Sequence, residues 1–156
     1  MHFKVAAIGQ RMPAWVNSGW QEYARRFPRS STLELIEVPS GKRGRNADLV
    51  QIRARESERL AAAVPKGAFS VALDINGQAW STQALAERMQ AWMRGGQDVV
   101  FLVGGPDGVT DSLLQSADQR WSLGPLTLPH PLVRVVLAEQ LYRAWSLTQN
   151  HPYHRE

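Results

Sequence analysis

The chain has 156 residues, no cysteine and a formal net charge of +4. This length suits one compact domain with its own core. The lack of cysteine excludes disulfides, thiolate metal sites and cysteine nucleophiles. No apolar stretch is long enough for a signal-peptide core or a membrane span, so we expect one cytoplasmic domain over residues 1–156 with no membrane partner.

The charge is unevenly distributed along the chain. Residues 1–59 hold 11 Lys and Arg against 6 Asp and Glu, whereas the remainder holds 7 against 8. A positive surface attracts polyanions such as RNA or DNA, although a solvated surface is the commoner reason for such a charge. Charge alone therefore suggests a nucleic-acid partner without establishing one.

Apolar segments rich in β-branched residues alternate with segments of helical period. This alternation predicts an α/β fold, a mainly parallel sheet with helices packed on its faces. Predicted strands cover 3–8, 32–38, 69–75 and 99–103, with a short piece at 123–128. Predicted helices cover 13–27, 47–64, 81–93 and 132–148, with a short one capped by Thr110. Pro28 and Pro65 stop the first two helices, and Ser81 can cap the third.

One long basic connection, residues 39–46, follows the second predicted strand. Its glycines at 41 and 44 argue against regular structure. We therefore expect its three cations, Lys42, Arg43 and Arg45, to be free to reach a partner.

A glycine-rich turn at 104–108 follows the buried-strand pattern at 99–103. Open α/β sheets bind ligands at such a position, although most turns of this kind, taken alone, are structural. The turn has neither the ending of a P-loop nor the spacing of a dinucleotide fingerprint. Nucleotide phosphates are therefore poorly supported as its ligand.

The segment 121–134 contains three prolines and a glycine among apolar residues. Apolar residues in an irregular loop either line a cavity or cover a neighbouring element, and the pattern favours neither. Its unpaired backbone groups could read the edge of an adenine.

The last predicted helix carries an apolar stripe that must be buried against the sheet or another chain. Glu139 and Arg143 lie four residues apart on one face, a spacing that favours an ion pair, although most such pairs lie on the surface. The tail 150–156 gathers two histidines, a tyrosine, an arginine and a carboxylate. Chain ends commonly fray, so a disordered tail is the simpler expectation. No histidine pair has metal-ligand spacing on a helix, and we expect no metal.

Together, the motifs Leu102-Val-Gly-Gly-Pro-Asp-Gly108, Leu123 to Arg134 with its Leu-Thr-Leu-Pro-His-Pro core, and the ending Leu141-Tyr-Arg-Ala-Trp145 with Asn150-His-Pro-Tyr-His-Arg-Glu carry a resemblance. The chain closely resembles the bacterial pseudouridine N3-methyltransferases of large-subunit (23S) ribosomal RNA, the smallest SPOUT-class enzymes. The resemblance covers the whole length and includes the segment Gly41 to Asp48.

The resemblance implies a deep trefoil knot within about residues 70–156, which is a rare exception to unknotted topology. It also implies that S-adenosylmethionine is the methyl donor, with its adenine held by loop backbone groups. The donor-binding positions carried over are Leu73, Gly104, Leu123, Gly124, Pro125, Leu126, Thr127 and Leu128.

The resemblance further implies a homodimer whose last helices pack together and whose active sites are each completed by the partner. The reaction is a direct displacement in which a ring nitrogen loses its proton and takes the methyl group, so a base or a stabilising cation is needed. Candidate catalytic residues are His130, Glu139, Arg143, Tyr153, His154 and Arg155, with Glu139 and His154 as bases and the arginines as cations.

Phosphate contacts are expected from the basic half of the chain, while the assembled ribosome presents the target loop. The candidates are Arg25, Arg26, Lys42, Arg43 and Arg45. Three alternatives remain: a non-catalytic RNA-binding or ribosome-assembly factor, a SPOUT enzyme acting on transfer RNA, and a structural dimer without ligand.

Overall fold

The computed structural model describes residues 1–155 apart from the side chain of Arg155. In chain order the elements are β1 (Phe3–Ile8), α1 (Ala14–Ala24), β2 (Leu33–Val38), α2 (Leu49–Ala62), β3 (Phe69–Ala79), α3 (Thr82–Gly95), β4 (Val99–Val103), α4 (Asp111–Ser116), β5 (Gln119–Ser122), α5 (His130–Thr148) and a 3-10 helix (Pro152–Arg155).

The five strands form one sheet in the order β2-β1-β4-β3-β5. All of its strand pairs are parallel, which confirms the predicted α/β class. The connection after β1 leads to one edge of the sheet, and the connection after β4 leads to the other. Such a reversal opens a crevice at the carboxyl ends of the two strands, where open α/β sheets bind ligands.

Helices cover both faces of the sheet. On one face, Trp20 of α1, Met89 of α3 and Leu141 of α5 pack on sheet residues such as Phe101. On the other, Leu60 of α2 and Leu113 of α4 form a smaller cluster with neighbouring strand residues. Burying each such side chain stabilises the fold by about 1.5–3 kcal/mol, so these two clusters fix where the helices lie.

Local signals start α3 and α4 and end α3 as predicted, whereas α1 ends at Ala24, three residues before its predicted end. The Ser81 and Thr110 side chains accept hydrogen bonds from the N–H groups of Ala84 and Leu113, at 3.0 and 3.3 Å. Gly96 ends α3 in the left-handed region, at φ 72°, which glycine adopts without steric cost. The predicted caps are therefore confirmed.

The prediction of a strand at 123–128 is wrong, because β5 ends at Ser122. Gly124 has φ 121° and Pro125 lacks an N–H group, so this segment does not continue the ladder. Two other elements are longer than predicted: β3 extends to Ala79, and α5 begins at His130. Within the tail, Pro152–Arg155 form a short 3-10 helix where a frayed end was the simpler expectation. The trefoil knot stays a prediction.

Candidate active site

A cavity of about 480 Å³ opens at the carboxyl end of the sheet. Its walls come from the ends of β3 and β4, the turn after β4, the loop after β5 and the first turns of α5. An open groove of about 630 Å³ lies elsewhere, between α1 and β2, and contains none of the predicted donor-binding residues. The first cavity is therefore the candidate site.

The end of β3 bends outward to form one wall of this cavity. Leu73 pairs with Trp121 of β5, and the pairing resumes only at Gln78, so residues 74–77 are left out of the ladder. A Cβ atom at Gly77 would lie 2.8 Å from the backbone carbon of Arg120. Glycine thus permits the close approach of the two strands that creates this bulge.

The glycine-rich turn forms a second wall. The Gly108 N–H donates to the Gly105 carbonyl at 3.0 Å, and Gly108 has φ 72°. A Cβ atom at Gly104 would lie 2.9 Å from both the carbonyl carbon of Gly108 and Cγ1 of Val109. Only glycine fits there without moving the backbone, so the tight shape of this turn depends on glycine at position 104.

The loop after β5 forms the third wall. Ser122 anchors it, because its Oγ accepts from the Gly124 N–H at 3.1 Å and donates to the Gly124 carbonyl at 3.2 Å. Among the described residues, the N–H groups of Leu126, Thr127 and Leu128 have no hydrogen-bond partner. Unpaired backbone groups beside a cavity are available to a ligand.

Most of the predicted donor-binding residues lie together around this cavity. Its lining includes Leu73, Gly104, Leu123, Gly124, Leu126, Thr127 and Leu128. Pro125 belongs to the same loop and is not among the lining residues. The sequence prediction therefore converges on one place, and donor binding at these residues stays a prediction.

Among the candidate catalytic residues whose side chains the structure describes, His130 alone lines the cavity. Its Nδ1 atom is buried and has no partner among the described residues. Burial lowers the pKa of the imidazole, and the charges of Arg134 and Arg43 lower it further. His130 is therefore neutral at pH 7 and can accept a proton or a hydrogen bond.

A second group of candidates meets at the other end of α5. Nη2 of Arg143 lies 2.6 Å from Oε1 of Glu139, and the Tyr153 hydroxyl donates to the same oxygen at 3.2 Å. The Arg143 guanidinium also lies 5.0 Å from the centre of the Tyr153 ring. Burial, followed by the charge of Glu139, raises the pKa of Tyr153, so its phenol stays protonated and donates.

This group lies away from the cavity of its own chain. Glu139 is nine residues and Arg143 thirteen residues beyond His130 on one helix, which corresponds to about 14 and 20 Å along its axis. None of Glu139, Arg143, Tyr153 or His154 lines the cavity. His154 has a buried Nδ1 atom without a partner among the described residues, and the Arg155 side chain lies outside the description.

The predicted RNA-contacting residues differ in their surroundings. Lys42 and Arg45 are exposed. Arg25 and Arg26 both pair with Glu22, at 2.9 and 2.6 Å. The expectation that all three cations of residues 39–46 are free is wrong for Arg43. Its guanidinium donates to the buried carboxylate of Glu56 and to the carboxylate of Asp107, so its hydrogen-bonding groups are already used inside the protein.

Two buried ionic residues beside the site were not predicted. Arg134 is 1% exposed and donates to the carbonyls of Ile8 and Gly9, at 3.2 and 2.7 Å, where β1 ends. Glu56 is also 1% exposed. The available signal was spacing, because Glu56 lies four residues before the buried Leu60 and therefore shares its helix face.

Among the described residues, no group of three or more acidic or histidine side chains is arranged to hold a metal ion. Within the same residues, no helix has the length and apolarity needed to cross a bilayer.

Comparison with known proteins places this geometry in a family. A family model described as "Predicted SPOUT methyltransferase" matches residues 1–154. The fold is similar to that of a probable rRNA-methyltransferase from Porphyromonas gingivalis, at TM-score 0.57 and 13% identity over 94% of this chain and 69% of that one. It is also similar to a probable methylase family protein from Haemophilus influenzae Rd KW20, at TM-score 0.56 and 12% identity over 97% of this chain and 69% of that one. The family match over nearly the whole chain shows that this protein is a member of the SPOUT methyltransferase family.

Proposed function

We propose that this protein transfers a methyl group from S-adenosylmethionine to N3 of a pseudouridine in large-subunit (23S) ribosomal RNA, on assembled ribosomes in the cytoplasm. The cavity at the carboxyl end of the sheet carries the proposal. Family membership supports the methyl donor, and the likeness to the rRNA-methyltransferase fold is compatible with the substrate. The resemblance stated above supports the target atom.

The cavity suits this donor in size and in chemistry. Its volume of about 480 Å³ is in the range of about 300–1,000 Å³ that ligand pockets have. The free N–H groups of residues 126–128 match the acceptor edge of an adenine, and Leu73 and Val133 give an apolar wall. When bound, S-adenosylmethionine supplies an electrophilic methyl group, and S-adenosylhomocysteine remains after the transfer.

The chain's own residues handle the proton and the charge of the ring. N3 of the base carries a proton that must leave before its electron pair can take the methyl group. The Glu139 carboxylate accepts hydrogen bonds from Arg143, Tyr153 and Gln140. This occupancy favours Glu139 as the group that orients Arg143 and Tyr153. Arg143 then stabilises negative charge on the ring oxygens, and either His130, which is neutral, or His154 accepts the proton.

A second copy of the chain completes the site in this proposal. Leu132, Val136, Glu139 and Arg143 follow one another at spacings of four, three and four, so they share one face of α5. If two such helices cross antiparallel at Val136, the first turn of one helix lies beside Arg143 of the other helix. A two-fold dimer of this kind places each Glu139 group at the partner's cavity, which the distance within one chain does not allow.

Donor binding to a cavity variant tests the proposal. We expect Gly104→Ala to weaken binding of S-adenosylhomocysteine strongly, because the added Cβ meets backbone atoms of the turn. Gly95→Ala is the matched control, since a Cβ atom there has nothing within 4 Å. Calorimetric titration measures both affinities. Absence of binding by the unaltered protein would instead support a non-catalytic RNA-binding factor.

A further inference from the structure

The turn that lines the cavity is tied to α2 from behind by a cluster of charged side chains. The Arg43 guanidinium donates to both carboxylate oxygens of Glu56, at 2.9 Å through Nη1 and 2.8 Å through Nη2. Its Nε donates to Oδ2 of Asp107 at 2.9 Å. Each of the three guanidinium nitrogens thus has a carboxylate partner inside the protein, in the forked geometry that only arginine provides.

Asp107 is part of the glycine-rich turn itself. It lies between Pro106 and Gly108, within the turn closed by the Gly108 to Gly105 hydrogen bond. The opposite end of the cluster is anchored, because Glu56 is 1% exposed and also accepts from the Gly41 N–H at 3.0 Å. Arg43 therefore joins a fixed point on α2 to a surface turn.

The cluster also packs directly against the turn. A Cβ atom at Gly105 would lie 3.3 Å from Oε1 of Glu56 and 3.5 Å from Nη2 of Arg43. The next residue of α2, Ser57, accepts from the Thr110 N–H at 3.0 Å. Thus α2 packs against Gly105 and accepts a hydrogen bond from Thr110, and residues of the segment between them line the cavity.

We infer that Arg43, Glu56 and Asp107 form a positioning network, which holds the glycine-rich turn in the shape that binds the methyl donor. The effect of this network on donor binding rests on the proposed function, whereas the network itself rests on the contacts described above. In this role Arg43 acts on the cavity through Asp107. Lys42 and Arg45, which are exposed on either side of it, are left for RNA.

Asp107→Ala tests the network, because it cuts the connection to the turn and leaves the buried Arg43–Glu56 pair intact. Hydrogen exchange on the donor-free protein measures the turn directly. We expect faster exchange in residues 103–110 and unchanged exchange in β3. Asp107→Asn retains an acceptor for Nε and should restore part of the protection. Glu58→Ala is the control, because it removes an exposed carboxylate from α2, and it should leave exchange in residues 103–110 and in β3 unchanged.

Titration with S-adenosylhomocysteine measures the consequence. We expect Asp107→Ala to weaken binding roughly tenfold, the loss that one charge-assisted hydrogen bond corresponds to, and to raise the donor KM rather than lower kcat. Unchanged exchange in residues 103–110 would overturn the network. Faster exchange with unaltered donor affinity would overturn its role in donor binding. If the unaltered protein binds no donor, the proposed function fails, and the exchange experiment still decides whether the network positions the turn.

Discussion

The Tyr153 hydroxyl donates a hydrogen bond to Oε1 of Glu139 over 3.2 Å, across 14 positions of the chain. This bond holds Tyr153 on α5, and the guanidinium of Arg26, two residues after the end of α1, lies 5.5 Å from the centre of the same tyrosine ring. Tyr153 is therefore held by contacts with Glu139 and Arg26.

Tyr153→Phe removes that hydroxyl and keeps the ring. We expect the free energy of unfolding to fall by only about 1 kcal/mol, the usual net value of such a bond. Methyl transfer should fall much further, because the hydroxyl belongs to the proposed catalytic group. Urea unfolding and single-turnover transfer measure the two effects. Tyr142→Phe is the control, since its hydroxyl has no hydrogen-bond partner among the described residues. An equal loss of transfer in both variants would contradict the proposed role.

Replacing Arg43 leaves a carboxylate buried without its partner. Because Glu56 is 1% exposed, we expect Arg43→Met to lower the free energy of unfolding by about 3 kcal/mol. The double variant with Glu56→Leu should recover a large part of that loss, since the carboxylate that lost its partner is also removed. Urea unfolding of the three proteins checks both expectations. A single variant as stable as the unaltered protein would show that the pair is unimportant for stability.

His130 gives stability a specific dependence on pH. Burial and the nearby Arg134 and Arg43 lower its pKa in the folded chain, and Glu56 opposes them weakly. Below about pH 6.5 the unfolded chain therefore binds more protons at this position than the folded chain. As the pH is lowered from about 6.5 to the folded pKa of His130, the free energy of unfolding should therefore decrease.

The matching experiment compares unfolding of the unaltered protein and His130→Gln between pH 7 and pH 5. We expect a steeper loss of stability in the protein that retains the histidine. Parallel pH profiles would mean that the folded and unfolded pKa values of His130 are equal.

Phosphate contacts by Lys42 and Arg45 predict a dependence on salt. Each contact releases counterions, so Lys42→Ala and Arg45→Ala should each reduce the slope of log affinity against log salt by about one. Filter binding to ribosomal RNA at several salt concentrations measures the slope. Arg94→Ala, an exposed arginine at the end of α3, is the control and should leave it unchanged. If all three variants keep the slope of the unaltered protein, Lys42 and Arg45 do not contact RNA phosphates.

Much of the fold follows from local patterns in the sequence. The apolar pattern predicted β1 and β4 with their observed bounds, because β4 is continuously apolar and buried, and β1 is interrupted only by the partly buried Lys4. The caps at Ser81 and Thr110 were predictable from side-chain chemistry alone. The location of β5 was not, because its four residues include Gln119 and Arg120, whereas the apolar segment after them is a loop.

The site could be predicted only in part for a similar reason. Glycines and prolines marked the turn at 104–108 and the loop at 123–128, since those residues reveal unusual backbone shapes. The pairing of Arg43 with Asp107 spans 64 positions, and no local pattern reports such a contact. The separation of Glu139 from the cavity also required the structure, because it depends on how α5 lies along the sheet.

Transfer of labelled methyl from S-adenosylmethionine to RNA tests the central claim most directly. The substrates are assembled ribosomes, isolated large subunits, naked ribosomal RNA and transfer RNA, all from cells that lack this protein. The account predicts label at N3 of a large-subunit pseudouridine, with assembled ribosomes as the substrate. Label in transfer RNA alone would contradict the proposed substrate, and no label in any RNA would contradict the proposed reaction.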